Sequence, residues 1–314
     1  MTAPAPPKPS LAKHPLWLIA KIAIFALAIW FVGGAFRESW HALQAEGLRI
    51  DPLLAIASGA LLIAAQTPSA WFWRQCLRAL GEPAPYRATA AAYLVSQIGK
   101  YIPGKAAAVA IRIDRMIGFN TRPAAIAACS FYETLTLMAV GCVISAVLLT
   151  LRMGSEQGSL PWIAAAFAVL CVAPTTPPLA KWLTRRLAKI DVERAPRGFT
   201  WLLMAEGGIA SLAAWTLLAM SVCLAARAVG VDSVVAPADW LLAATLPVVA
   251  GFLSMLPGGV LVRDGLMLEV LAPTTGQAGA LATAVATRII WITAEVLVCV
   301  ILVGASARRT KRPA

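Results

Sequence analysis

Ser96-Gln97-Ile98-Gly99-Lys100-Tyr101-Ile102-Pro103-Gly104-Lys105 and Gly251-Phe252-Leu253-Ser254-Met255-Leu256-Pro257-Gly258-Gly259 are the two stretches on which the reading of this chain turns. Proline has no amide proton and clashes with the preceding helical turn, while glycine accepts almost any backbone angle. Each Pro-Gly pair therefore interrupts a helix inside an apolar segment. A bilayer core offers no water to the freed backbone groups, so breaks at membrane depth survive only within protein or beside a wet cavity. Two broken hydrophobic segments in corresponding halves of a chain point to a transporter-type binding site.

The surrounding composition sets that reading in a membrane. Of 314 residues, 60% are hydrophobic and only 13% charged, and the mean hydropathy is +0.76. A soluble domain carries about 25% charged residues, so the chain is an integral membrane protein. Its net charge of +12 does not form an aromatic-interleaved basic domain, and nucleic acid is excluded as a partner. The basic residues gather at the ends of apolar runs, where they fix topology and meet anionic headgroups.

Cys76, Cys129, Cys142, Cys171, Cys223 and Cys299 show no metal-like spacing, and most fall inside apolar runs where cysteine acts as a small hydrophobe. With His14 and His41 as the only histidines, neither a metal site nor a catalytic triad is expected. No phosphate-binding loop, dinucleotide fingerprint, nucleophile elbow or zinc-protease motif occurs. No cofactor is expected.

A helix needs about 20 mostly apolar residues to cross a bilayer core. That test predicts crossings at roughly 16–36, 50–72, 124–151, 160–180, 200–227 and 277–304. The segments 88–118 and 238–273 hold the Pro-Gly breaks near their centres, each long enough for two half-depth helices. The expected fold is an all-α polytopic membrane protein with about six full crossings and two broken, re-entrant hairpins. Residues 1–15 and 305–314 read as cytoplasmic tails around a single membrane domain, 16–304. Because 16–36 is longer than a signal core and lacks a small-residue cleavage site, it reads as a retained helix.

The charge distribution fits cytoplasmic termini in an inner membrane. Arg74, Arg78 and Arg87, the group Lys181 to Arg197, and Arg308 to Arg312 fall inside, against Arg37, Arg49, Arg152 and Arg227 outside. A shift of 154 residues carries Pro103-Gly104 onto Pro257-Gly258. The segments about 16–151 and 160–304 then enter the membrane from opposite faces. That is an inverted repeat, the symmetry that lets a carrier alternate its access.

Several charges lie where lipid makes them costly unless paired or wet. Lys100, Tyr101, Lys105 and Arg112 around the first break, with Arg263 and Asp264 after the second, are candidate contacts for a phosphate-bearing ligand. Pro103, Gly104, Pro257, Gly258 and Gly259 would shape the cavity. Asp114, Glu133, Arg288 and Glu295 are candidates for its charge relay, and Glu133 and Glu206 are candidate partners for Arg288 or proton-carrying carboxylates. Trp17, Trp30, Trp40, Trp71, Trp73 and Trp182 lie mostly near helix ends and read as interfacial anchors.

The segment Gln97 to Lys105 and the segment Leu256-Pro257-Gly258-Gly259-Val260-Leu261-Val262-Arg263-Asp264-Gly265 resemble two signature stretches of the lysylphosphatidylglycerol synthase transmembrane-region, or flippase-like, family. The family pattern after the second break reads Gly-Gly-x-Gly-x-Arg-Glu; here Leu261 replaces the third glycine and Asp264 the glutamate. The resemblance implies lipid handling, either movement of an amino- or glycolipid between leaflets or assistance to an enzyme that makes one. The soluble aminoacyltransferase domain of full-length synthases has no counterpart in these residues.

The function expected is therefore that of a lipid carrier more than an enzyme. It would bind an anionic or phosphate-linked lipid and move it by alternating access. The alternatives are an intramembrane transferase acting on polyprenyl, terpenoid or glycolipid substrates, and an accessory partner of a lipid-biosynthetic enzyme. Oligomeric state does not follow from the sequence.

Overall fold

A computed structural model describes residues 50–101, 106–153, 160–188, 196–231, 234–254 and 262–310, besides Gly34 and Arg37. The described residues are helical throughout, without strands. Helix α1 spans Pro52–Ala79 and α2 Tyr86–Ser96, which runs into a 3-10 segment at Gln97–Tyr101. Helix α3 follows at Ala106–Met116, then α4 at Pro123–Met153, α5 at Leu160–Val172 and α6 at Pro177–Leu183. The remainder comprises α7 at Trp201–Ala228, α8 at Pro237–Leu253 and α9 at Val262–Thr310. Helix α9 is broken at Gly276, whose φ of 73° and ψ of 165° are not helical.

Helices α1, α4, α7 and α9 are long and apolar enough to cross a membrane. At 28 residues, α1 and α7 reach about 42 Å, against a hydrocarbon core of about 30 Å. The protein is thus multi-pass. The expected crossings at 50–72, 124–151 and 200–227 correspond to α1, α4 and α7, and that at 277–304 to the limb of α9 after Gly276. The run 160–180 is helical but interrupted. It forms α5 of 13 residues, a 3-10 turn at Ala173–Thr175 and the short α6. Pro174, Pro177 and Pro178 account for the interruption, since none can donate to a continuing helical ladder. The run 16–36 lies outside the described residues apart from Gly34, and both Pro-Gly pairs lie outside them as well.

The frame of the molecule is the antiparallel pair α1 and α7. The Asp51 carboxylate accepts from the amides of Leu53 and Leu54 at 2.8 and 3.1 Å, and the Thr200 hydroxyl from that of Leu203 at 3.2 Å. Such caps satisfy donors left open at a helix start. Each helix ends on a glycine in the left-handed region, Gly81 at φ 77° and Gly230 at φ 79°. The closing bonds match: Gly81 N to Arg78 O and Gly230 N to Arg227 O are both 3.0 Å. Caps and stops are separated by the same 149 residues, 51 to 200 and 81 to 230.

Contacts between the two helices occur in exchanged pairs. The Ser58 hydroxyl donates to Ser221 O at 2.7 Å, and the Ser221 hydroxyl to Ser58 O at 2.8 Å. Towards the other end Phe72 lies on Gly207, where an added Cβ would fall 2.3 Å from its ring. Positions 58 and 207, and likewise 72 and 221, are again 149 apart. Helices α4 and α9 pack against both members of this pair, α2 against α1 and α8 against α7, with α3 lying on α2 and α4.

Candidate functional site

A cavity of about 300 Å³ opens where the two broken segments meet the α1–α7 frame. Its polar wall carries Gln66 of α1, Tyr93 and Ser96 of α2, Lys100 of the 3-10 segment, Arg112 of α3 and Glu133 of α4, joined by Arg263 at the start of α9. Leu62, Leu137, Met138, Leu218, Val248 and Phe252 are among the apolar residues that make up the rest of its lining. Phe131 also lines the cavity, yet 59% of it is exposed on the outer face of α4.

Three cations are closed on three carboxylates. Arg112 meets Glu133 at 3.2 Å, with both side chains almost fully buried. The Arg112 guanidinium also donates to the Ser96 hydroxyl at 3.0 Å. It lies 4.2 Å from the Tyr93 ring centre and 4.8 Å from that of Trp73. The Tyr93 hydroxyl donates to the second oxygen of Glu133 at 2.9 Å. This pair is thus enclosed by hydrogen bonds and π faces, the setting in which a buried ion pair offsets its desolvation.

Glu295, on the long limb of α9, is 1% exposed and accepts from three groups. These are Lys100 Nζ at 2.5 Å, Gln66 Nε2 at 2.8 Å and the Tyr101 hydroxyl at 3.1 Å. Arg288 donates to Asp264 at 2.9 Å, tying the two limbs of α9 across Gly276. Arg263 differs from the other cations. It stacks 4.3 Å over the Trp291 ring, and no carboxylate among the described residues lies within ion-pair distance of it.

Of the residues singled out in the sequence, Lys100, Tyr101, Arg112, Glu133 and Arg263 line this one cavity. Glu295 lies behind it, hydrogen-bonded to Lys100 and Tyr101, and Asp264 and Arg288 form a pair on α9. Asp114, two residues beyond Arg112 on α3, is not among the residues lining the cavity. Lys105, Pro103, Gly104, Pro257, Gly258 and Gly259 lie outside the described residues.

Two expectations need correction. The partner of Arg288 is Asp264, not Glu133 or Glu206, because the turn at Gly276 folds the short limb of α9 back beside the long one. Trp73 is no interfacial anchor: it is fully buried, with its ring under Arg112.

Sequence reading missed Gln66, Tyr93, Ser96 and Trp291. Gln66 did carry a signal, a lone amide in the apolar run of α1, and Trp291 stands in mid-helix instead of near an end. Tyr93 and Ser96 carried none, since only the return of α3 against α2 gives them a buried cation to bind.

A multi-pass helical membrane protein with a largely apolar cavity that carries buried charges, between two interrupted segments, is the class that fold and cavity define. The chain belongs to the family described as the lysylphosphatidylglycerol synthase TM region, which matches residues 18–299. No curated protein matches it. Membership makes it an integral membrane protein of a lipid-related family.

Proposed function

We propose that this protein carries a lipid with an anionic or phosphate-linked headgroup between the leaflets by alternating access. The observation that carries the reading is the mixed lining of the cavity. Its cations and hydrogen-bond donors suit a headgroup, and its apolar side chains suit the first carbons of a chain. Phe131, exposed on the outer face of α4 and lining the cavity, supports a lateral opening through which the rest of the chain stays in lipid. Each carboxylate of the site is closed on a cation, which favours a carrier over a transferase needing a free acid or base.

The reading includes an inverted repeat with two re-entrant hairpins, α2 with α3 and α8 with the first limb of α9. In its support, the α1 and α7 frame keeps one register of 149 residues through its caps, its glycine stops and its exchanged contacts. Antiparallel packing of equivalent helices is the relation such a repeat requires. Positive φ recurs at Asn120 before α4 and at Gly276 before the long limb of α9, the equivalent turns in the two halves. The excess of inside arginines and lysines orients both termini to the cytoplasm of an inner membrane.

Reconstitution in liposomes holding headgroup-labelled anionic lipid, read by dithionite quenching of the outer leaflet, tests this function. Wild type is expected to exchange the labelled lipid between leaflets, and Arg263→Ala to lose most of that exchange. Equal exchange by the variant, or none by the folded wild type with anionic and glycosylated lipids alike, would sink the carrier reading.

A further inference from the structure

Gln66 has one end unused. Its amide donates to Glu295 Oε1 at 2.8 Å, yet its own oxygen, buried in the apolar run of α1, meets no donor among the described residues. A buried acceptor left open is costly and calls for an explanation. A proton on Glu295 would supply the missing donor. A carboxylic acid and a primary amide join through two hydrogen bonds, amide N–H to one acid oxygen and acid O–H to the amide oxygen. The first of these is already made. Gln66 therefore suits both forms of Glu295: it donates to the carboxylate and can accept from the acid.

The other two donors on Glu295 belong to the first broken segment. Lys100 Nζ at 2.5 Å and the Tyr101 hydroxyl at 3.1 Å both stand on its 3-10 stretch. Lys105 follows them in sequence, outside the described residues. Arg263 and Arg288 act on the same cluster through space, but Arg288 is closed on Asp264 and Arg263 lies over Trp291. Glu133 is placed differently. Its partners Tyr93 and Arg112 stand on the two helices that precede it, whereas the Lys100–Glu295 contact joins the two halves of the chain. When the first segment moves in alternating access, Glu295 loses Lys100 and Tyr101 together. It is 1% exposed, and a buried carboxylate stripped of its cation is avoided by neutralisation.

We propose, on the lipid-carrier reading, that Glu295 is a proton-binding site whose loading releases the first broken segment and makes lipid movement depend on protons. The proton comes from cavity water and adds to Oε2, the oxygen that Tyr101 gives up. Lys100, 36% exposed and on the cavity wall, departs as the ammonium, and Tyr101 keeps its own proton. The new O–H turns to the Gln66 oxygen. On the segment's return the ammonium re-forms the pair and the proton goes back to water.

The test uses the full-length protein in phosphatidylcholine liposomes holding phosphatidylethanolamine labelled on its amine, an anionic lipid whose charge is constant over the range. Exchange runs at equal inside and outside pH, from mildly alkaline to mildly acidic, and each sample returns to alkaline buffer before dithionite is added. Wild type should exchange faster as the pH falls, by up to about tenfold per pH unit for a single proton. Glu295→Gln should exchange at a rate that does not change with pH, and Glu295→Asp should keep the dependence. Infrared difference spectra between alkaline and acid protein, which need no lipid, should show a carboxyl band that Glu295→Gln lacks. Gln66→Leu should shift that band, because the acid loses its amide partner. Wild-type exchange that ignores pH, an unaltered dependence in Glu295→Gln, or a carboxyl band common to both proteins overturns the proton site and leaves the carrier standing. Absence of exchange at every pH overturns both.

Discussion

Cutting Glu133 back to alanine should destabilise the protein far more than the loss of one hydrogen bond. The substitution removes the carboxylate 3.2 Å from Arg112 and the acceptor of the Tyr93 hydroxyl together. Arg112 keeps its bond to Ser96 and its two aromatic faces, but its side chain is only 6% exposed, so water cannot take the place of the carboxylate. Stranding one member of a buried pair costs about 3–5 kcal/mol. At roughly 2–3 °C per kcal/mol for a large domain, the melting temperature should fall by about 6–15 °C. The assay is thermal unfolding in detergent with a thiol-reactive dye, since Cys76 and Cys129 are fully buried and become reactive only when this region opens. The double variant Arg112→Met with Glu133→Leu should recover most of the loss, because apolar groups of similar volume leave no bare charge. A shift of about 1 °C or less in Glu133→Ala, or a double variant no more stable than the single, would refute the pairing as described.

Lys100→Met should lower the melting temperature by a similar amount, since it bares Glu295, and a second substitution, Glu295→Gln, should restore most of it. Gly207→Ala should destabilise by about 1–3 kcal/mol through overpacking against Phe72, whereas Gly208→Ala, with nothing within 4 Å of its added Cβ, should not; the same melt compares the neighbours. Cys142 and Cys171 have their sulfurs 3.3 Å apart on α4 and α5. Copper-phenanthroline treatment should therefore join them, read as the loss of two sites for maleimide-polyethylene-glycol in the denatured protein. Unchanged labelling would show that α5 does not lie against α4 as described.

The frame was legible because a bilayer forces it. Apolar runs of sufficient length must be helices there, and α1, α4 and α7 begin and end near where hydropathy and the proline, glycine and arginine positions set them. The interruption within 160–180 comes from Pro174, Pro177 and Pro178, which hydropathy does not weigh. The charged residues of the site were legible singly, since each is costly in an apolar segment. Their pairing was not. Arg288 takes Asp264 because Gly276 reverses the chain between them, and Trp73 is buried because α1 continues to Ala79 instead of ending near residue 72. Such choices depend on which helix packs beside which. That information is spread over small residues such as Gly207 and Gly141, whose missing Cβ atoms admit Phe72 and Trp215.

The charges do not share the symmetry of the frame, and that asymmetry bears on how a carrier would work. In the inverted-repeat reading, the register of 154 residues matches Lys100 with Ser254 and Gly141 with Glu295. The first broken segment is thus clasped to the last helix by Lys100, Tyr101 and Gln66 on Glu295. At the corresponding positions the second segment holds Ser254 and α4 holds Gly141, so this particular charge pair is not repeated. A ligand site shared by two access states is needed only once, so the cations can belong to one register. The clasp is different, because the second segment is held through other pairs, Asp264 on Arg288 and Asp239 on Arg152. In that reading, movement to the opposite-facing state requires the first segment to leave Glu295. Variants that weaken this clasp should shift the balance of states even where they leave Arg263 and its ligand untouched.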